Sequence, residues 1–293
     1  MGRILEVLKN KKVLISDGAW GTFLQAEGLQ VGECPESWNE TNRATVLKIA
    51  KSYIDAGSDM IETNSFGGSR LKLKSFGLEE KTFELNKLAA EISREAAGNK
   101  IVLGSIGPTG KLLMMGETSE EELYEVYKEQ SSALEAGGAD AIVLETFTDL
   151  EELKIALKAV KENTNCEAVC TMTFDELLTG GFRTMMGISP ADMLSGLAEL
   201  NPDVVGANCG NGFENMIHIV KEFKIAGCEL PILIHANAGM PELDENSRTF
   251  FPETPDDMGN KLNELIDAGA CIVGGCCGTT PGHIKKLVEV VNS

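Results

Sequence analysis

The phrase that decides the fold occurs three times in the chain: IDAGSDMIETN at 54–64, LEAGGADAIVLET at 134–146 and IDAGACIVGGC at 266–276. Each copy has the pattern of a helix end, a turn of small residues, and a short apolar run that finishes in polar residues. Glycine lets a chain leave a helix in the left-handed conformation. A β-branched run after such a turn is typical of a buried parallel strand. The repeat therefore predicts a helix–turn–strand unit.

Five further apolar runs have the same form and bring the strand candidates to eight: VLISD (13–17), KIVLGSIG (100–107), EAVCTMTF (167–174), DVVGANCG (203–210) and PILIHANAG (231–239). Helical patterns separate them, and several of these begin at a capping residue: Ser119, Asp149, Ser189 and Thr254. Eight units without a break in composition predict a (β/α)8 barrel, with residues 1–293 as one domain. The alternative is an open doubly wound sheet, but no GxGxxG fingerprint follows the first strand.

The composition limits the partners. With 26 Lys and Arg against 45 Asp and Glu, the net charge is −19, which disfavours binding to nucleic acid. No stretch approaches the roughly 20 apolar residues that cross a bilayer, and the first residues lack the apolar segment of a secretory signal. We therefore expect a cytoplasmic protein without a membrane partner. In that reducing compartment, the eight cysteines are expected to be buried thiols, metal ligands or catalytic groups rather than disulfides.

The barrel prediction locates the functional site, because catalytic groups of such barrels lie at the carboxyl ends of the strands. Cys209 ends the sixth strand, and Cys276 and Cys277 end the eighth. Three thiols from two nearby strand ends can form three corners of a tetrahedron, which suits a zinc site with one open position. Adjacent strand residues point to opposite faces, so both members of the Cys276–Cys277 pair reach one metal only if the backbone bends sharply. The surrounding glycines permit such a bend.

Two other interpretations of these cysteines remain open. They could be small buried core residues, as free cysteines often are, or Cys276 and Cys277 could form a strained vicinal disulfide. The remaining five are expected to be ordinary thiols, because no CxxC spacing indicates a zinc ribbon: Cys34, Cys166, Cys170, Cys228 and Cys271. His235, within the seventh strand, is expected to be a core histidine with its hydrogen bonds satisfied.

An open site of three thiolates suggests a particular chemistry. Three thiolates already donate strongly to Zn²⁺, so the metal is better suited to accepting a fourth sulfur than to generating hydroxide. A substrate thiol loses its proton on binding and remains nucleophilic. The expected reaction is alkyl transfer to a thiol, with the zinc-bound thiolate as nucleophile.

Seven segments occur in an order that resembles one known family: DGAWGTFLQ (17–25), ETNSFGG (62–68), GSIGPTG (104–110), LETFTD (144–149), GANCG (206–210), HANAGMP (235–241) and GGCCGTTP (274–281). Across essentially the whole chain they are similar to the homocysteine S-methyltransferase family, especially the homocysteine-binding barrel of cobalamin-dependent methionine synthase. GANCG followed by GGCCGT is the most specific part of this resemblance.

The resemblance implies zinc as the metal and homocysteine as the thiol substrate, with methionine as the product. By position, Cys209, Cys276 and Cys277 would be the ligands, and Asn237 would offer an oxygen to zinc before the substrate thiol displaces it. Family members that use betaine carry Tyr after the glutamate of the fourth strand. This chain has Thr146 there, which disfavours that subtype.

The amino-acid end of homocysteine needs contacts of its own. Its ammonium group requires carboxylates, and we expect Glu145 and Asp17 to provide them, although either could instead brace the barrel rim. Its carboxylate requires N–H groups, which the turn beginning at Gly18 and Ala19 can offer.

The sequence says little about the methyl donor. The resemblance favours methylcobalamin on a separate corrinoid protein or domain, with a small donor such as S-methylmethionine as the alternative. A third hypothesis is a non-enzymatic thiol- or zinc-binding subunit of a larger assembly. An aldolase-like barrel is disfavoured because none of the eight strand ends carries the lysine that a Schiff base needs.

Overall fold

The computed structural model describes residues 2–245 and 249–293. Eight strands form one parallel sheet in the order β1-β8-β7-β6-β5-β4-β3-β2, with helices outside it, which confirms the predicted (β/α)8 barrel. The bounds of the strands are β1 Leu14–Ile15, β2 Met60–Glu62, β3 Ile101–Ile106, β4 Ala141–Phe147, β5 Glu167–Met172, β6 Val204–Asn208, β7 Ile232–Ala236 and β8 Ile272–Gly275.

At least one helix follows each strand of the barrel, three helices lie between β1 and β2 and two between β2 and β3, and a short helix precedes β1. Their bounds are α1 Arg3–Leu8, α2 Gly21–Ala26, α3 Trp38–Thr41, α4 Arg43–Asp55, α5 Arg70–Leu73, α6 Thr82–Ala97, α7 Glu120–Ala136, α8 Leu150–Asn163, α9 Pro190–Leu197, α10 Phe213–Ile225, α11 Pro255–Ala268 and α12 Pro281–Val291. The four predicted capping residues each accept a hydrogen bond from the first turn of α7, α8, α9 or α11: Ser119, Asp149, Ser189 and Thr254.

The barrel has a seam between β1 and β2, where no ladder of backbone hydrogen bonds forms. One backbone bond crosses the seam, from Asp59 N to Ile15 O (2.6 Å). Two carboxylates make the other contacts: Ile15 N donates to Asp59 Oδ2 (2.8 Å), and Glu62 N donates to Asp17 Oδ2 (3.0 Å). Asp17 therefore closes the seam at the mouth of the barrel, which is the end where the carboxyl ends of the strands lie. It is also one of the predicted site residues.

The alternation of side chains along the strands explains why the barrel interior is apolar near the amino ends of the strands and polar near their carboxyl ends. Side chains at every second position face the interior. Some of them form a buried apolar cluster with Ile4 of α1: Leu14, Met60, Ile101, Leu103, Ala141, Val143, Val169, Val204, Leu233 and Ile272. Two residues further along their strands, Met60 leads to Glu62, Val143 to Glu145 and Leu233 to His235. The same period that fills the core thus brings polar side chains together near the mouth.

Two short antiparallel hairpins rise from the mouth, and the sequence patterns did not predict them. One pairs Asp175–Glu176 with Phe182–Arg183 after β5, and the other pairs Glu242–Leu243 with Thr249–Phe250 after β7. Within the described residues, no helix has the length and apolar character that a membrane span requires.

Candidate metal and substrate site

Cys209 lies immediately after β6 in a strained turn. Its φ of 60° is in the left-handed region that non-glycine residues rarely adopt, and Gly210 follows with a φ of 71°. Hydrogen bonds hold the turn: Cys209 N donates to His235 O (2.9 Å), and Asn211 N donates to Cys209 O (2.7 Å). The strain is therefore fixed by the neighbouring strand, as is common at functional positions.

The paired cysteines lie in a turn that begins where β8 ends. Cys276 N donates to Ala236 O (2.6 Å), and Cys277 O accepts from Ala238 N (3.0 Å), so both residues are tied to the chain leaving β7. Thr279 donates through Oγ1 to Cys276 O (2.7 Å), and Gly278 adopts a φ of 81°. The strand alternation no longer applies in this turn, which lets two adjacent thiols face one point, as the glycine pattern predicted.

The three thiols meet. Their Sγ atoms all lie within 4.8 Å of one another, and Cys209 and Cys277 Sγ are 3.9 Å apart. Hydrogen bonds from the Cys276 and Cys277 thiols lower the pKa of Cys209 to about 3, whereas the bond to Cys209 raises the pKa of Cys277 to about 12. One thiolate held by two thiols is the arrangement of a cluster that releases further protons when a cation arrives.

Asn237 adds an oxygen to this cluster. It is buried, its side chain hydrogen-bonds Cys209, and its N–H donates to Asn211 O (2.9 Å). Its Oδ1 accepts no hydrogen bond from the described residues, although a buried amide oxygen normally has a donor. An unpartnered oxygen beside three thiols fits the oxygen ligand predicted for the substrate-free state.

The other five cysteines stay apart from the cluster. Cys34, Cys166, Cys170 and Cys228 are buried, Cys271 is half-buried, and all are free thiols. Burial raises the pKa of Cys34 and of Cys166 to about 12. These values favour inert protonated thiols.

Asp17 lies at the end of β1 with both carboxylate oxygens occupied. Oδ2 accepts from Trp20 Nε1 (2.9 Å) and from Glu62 N, and Oδ1 accepts from Ser16 Oγ (3.1 Å). Burial raises the pKa of Asp17, and the nearby His235 opposes this effect. The structure thus gives Asp17 a bracing role at the seam, and its predicted contact with a substrate ammonium remains a prediction.

Glu145 lies across the mouth at the end of β4. Its carboxylate accepts from the Ser105 hydroxyl and from Asn208 Nδ2 (3.3 Å). Asn208 is itself fixed, since its Oδ1 accepts from Thr146 N and Thr171 Oγ1 (both 2.7 Å). Burial and the nearby Glu62 carboxylate raise the pKa of Glu145 well above its usual range.

The Gly18–Ala19 turn begins against β8. Ala19 N donates to Thr279 Oγ1 (3.0 Å), so this N–H is already engaged, whereas Gly18 N has no acceptor among the described residues. A Cβ at Gly18 would lie 2.7 Å from Thr279 Oγ1 and 2.9 Å from the Tyr53 ring, so only glycine fits there. Of the two predicted anion contacts, Gly18 has the freer N–H.

Sequence reasoning missed the part that Glu62 and His235 play in this site. Glu62 Oε1 and His235 Nδ1 are 3.1 Å apart, and both side chains are buried. His235 is buried, as expected of a core histidine, but its hydrogen bonds are not all satisfied, because Nε2 has no partner among the described residues. The signal was available in ETNSFGG and HANAGMP, which place a charged or titratable side chain at an inward position of each strand.

Fold and site together define a (β/α)8 barrel with three converging thiols at its mouth that could hold a metal ion. A family model described as homocysteine S-methyltransferase matches residues 14–291. The chain therefore belongs to the homocysteine S-methyltransferase family, which confirms the predicted family.

Similar proteins agree with this family and differ in length. Methionine synthases of Mycobacterium tuberculosis and Mycobacterium leprae are each 31% identical over 98% of the chain, which corresponds to 25% of either relative. The chain thus spans about a quarter of the curated relatives it matches. The homocysteine methyltransferase MmuM of Escherichia coli, solved in a metallated form, shares the fold with a TM-score of 0.81 at 23% identity, covering 97% of this chain and 98% of that one.

Proposed function

We propose that this chain binds Zn²⁺ through Cys209, Cys276 and Cys277 and methylates homocysteine to methionine, with a methylcorrinoid protein or domain as methyl donor. The observation that carries the proposal is the convergence of the three Sγ atoms within 4.8 Å. Soft thiolates suit zinc, and Asn237 Oδ1, which has no partner among the described residues, would be the oxygen ligand in the substrate-free state. When bound, zinc lowers the pKa of a substrate thiol and so makes its sulfur available as a nucleophile at neutral pH.

The residues of the chain bind and orient the amino acid. Glu145 and Asp17 attract the ammonium group, and the Gly18 turn offers N–H to the carboxylate. These contacts fix the opposite end of homocysteine from the thiol, so the sulfur is delivered to the thiol cluster in one orientation. In the transfer, the sulfur forms a bond to the methyl carbon as the bond from that carbon to the donor breaks, and the electron pair leaves with the donor.

The exposed side chains at the rim of the mouth favour a protein or protein domain over a small molecule as the methyl donor. The loops after β3, β5 and β7 expose large apolar side chains at the same end of the barrel: Met114, Met115, Leu178, Met185, Met240 and Leu243, each more than half exposed. Methionine-rich apolar surfaces adapt to protein partners, and a small donor that diffuses in does not need them.

The test is a methylation assay on the zinc-loaded chain with homocysteine and a panel of donors: a methylated corrinoid protein, free methylcobalamin and S-methylmethionine. We expect methionine with either corrinoid donor. Methionine from S-methylmethionine alone would overturn the proposed donor but leave the acceptor chemistry intact. If no donor gives methionine and sulfur-edge spectroscopy shows no fourth sulfur at zinc when homocysteine is added, the chain is a binding subunit rather than the transferase.

A further inference from the structure

Glu62 is the least satisfied carboxylate of the mouth. Asp17 accepts three hydrogen bonds and Glu145 accepts two, whereas the Glu62 carboxylate accepts none from the described residues. Among the described residues, the one basic group within ion-pair distance of the Glu62 carboxylate is His235, whose Nδ1 lies 3.1 Å from Oε1 without the alignment of a hydrogen bond. Only 7% of Glu62 is exposed, so solvent does not replace the missing donors.

The surroundings of Glu62 supply negative charge rather than positive. Asp17 and Glu145 both interact electrostatically with it, and His235 is the basic group of the set. A buried carboxylate beside two others is costly unless a cationic donor is present. The mouth is thus built for a ligand that brings a positive charge and several N–H donors.

We propose that Glu62 is a third contact for the ammonium group of the amino-acid thiol, and that His235 is a positioning residue that holds the Glu62 carboxylate toward it. The inference rests on the proposed function and deepens it, since it assigns substrate specificity to a residue outside the thiol cluster. A primary ammonium has three N–H donors, which matches three carboxylates: two that the fold has partly satisfied and one that it has left free.

The test compares two thiols that differ only in the ammonium group. L-Homocysteine and 4-mercaptobutanoate are titrated calorimetrically into the zinc-loaded full chain and into its Glu62→Gln variant, with zinc content measured in both. We expect the variant to bind homocysteine about 10- to 100-fold more weakly, as for loss of a charge-assisted hydrogen bond, and to bind 4-mercaptobutanoate within about threefold of the wild type.

Glu36→Gln is the matched control, because Glu36 is also buried but accepts from Gly67 N (2.7 Å) and Cys34 and lies outside the set of three carboxylates. It should not change the ratio of the two affinities. An equal loss for both thiols in Glu62→Gln, or no loss for either, would overturn the inference. A wild type that binds neither thiol would instead refute the proposed function.

His235 is tested by the same ratio. His235→Asn keeps a polar side chain beside Glu62, whereas His235→Leu replaces it with an apolar one of similar size. We expect His235→Leu to weaken homocysteine selectively and His235→Asn to restore most of the selectivity. If both variants lower the two affinities alike, His235 has a packing role only.

Discussion

The two ends of the barrel treat buried carboxylates differently. At the bottom, Glu167 accepts from the N–H groups of Ile4 (2.6 Å) and Leu5 (3.0 Å) at the start of α1, and the half-buried Asp140 pairs with Arg3 and Arg94. At the mouth, Glu62 Oε1, His235 Nε2 and Asn237 Oδ1 are buried and find no hydrogen-bond partner among the described residues. The chain itself thus satisfies the carboxylates at the bottom, whereas the described residues leave polar groups unpaired at the mouth. Unsatisfied polar groups are retained where function requires them.

The largest effect should come from the thiol cluster. We expect Cys276→Ala to lose zinc and to lower the rate of methyl transfer by more than about a hundredfold. Removing a residue that only orients a metal ligand costs about 10- to 100-fold in affinity or activity, and removing the ligand itself should cost more. Zinc content and initial rates measure this. Cys271→Ala, a half-buried thiol in the same segment, is the control and should keep both. Stoichiometric zinc and full activity in Cys276→Ala would refute the metal assignment.

The bottom of the barrel should show the next effect, in stability rather than in activity. Glu167→Ala leaves two N–H groups of α1 without an acceptor, so we expect the free energy of unfolding to fall by about 1–3 kcal/mol. Chemical denaturation measures the change, and the rate per folded molecule should be unaltered. A variant as stable as the wild type would remove the contrast between the two ends.

A substitution at the mouth should raise the free energy of unfolding, whereas Glu167→Ala at the bottom lowers it. Burial raises the pKa of Glu62 well above 4.5, so the folded state holds a proton that the unfolded state has released. This contribution to stability is complete below the unfolded pKa and is lost as pH rises through the folded pKa. We therefore expect the metal-free Glu62→Gln variant and the metal-free wild type to have the same free energy of unfolding near pH 4.5. At pH 8 the free energy of unfolding of the variant should be higher by about 1 kcal/mol.

Denaturation of the metal-free proteins across that pH range measures the difference. Equal curves at both ends of the range would show that Glu62 is as well accommodated as Glu167.

The smallest effect is expected at the rim. Replacing Leu178 and Met185 together by Ser should slow transfer from a corrinoid protein by about three- to tenfold, since apolar contact area is lost. The rate with free methylcobalamin should not change. Ile225→Ser, an exposed apolar residue at the end of α10, is the control. Equal slowing with both donors would indicate a damaged site rather than a lost docking contact.

The sequence predicted most of the architecture because the relevant signals are local. Strand periodicity, small-residue turns and capping side chains act within a few residues, so the eight strands and the caps at Ser119 and Thr254 were found. Helix α1 was not, since its anchor is Glu167, 163 positions from Ile4 along the chain. The hairpins were missed because their four strands are two residues long and carry no apolar alternation.

The residues of the site also differ in whether local sequence signals reveal them. The glycine-flanked Cys276–Cys277 pair could be recognised from sequence, and the structure brings Cys209 to it. Strand alternation places Glu62 and His235 at inward positions, but their contact could not be predicted, because β2 and β7 are not neighbours in the barrel and the two side chains meet across its interior. Whether Asp17 braces the seam, binds substrate or does both was equally beyond a linear pattern, as its three hydrogen-bond donors come from two segments.

The seam between β1 and β2 has a dynamic consequence. The amide of Glu62 is protected by a carboxylate side chain, Asp17, rather than by a strand backbone. Rotation of that one side chain exposes the amide, whereas an amide within β4 or β5 exchanges only when strands separate. Deuterium uptake should therefore be faster at this point of the barrel wall than elsewhere in it. A ligand that fixes the Asp17 carboxylate would slow that uptake. Deuterium uptake at the Glu62 amide would therefore show whether a ligand occupies the mouth.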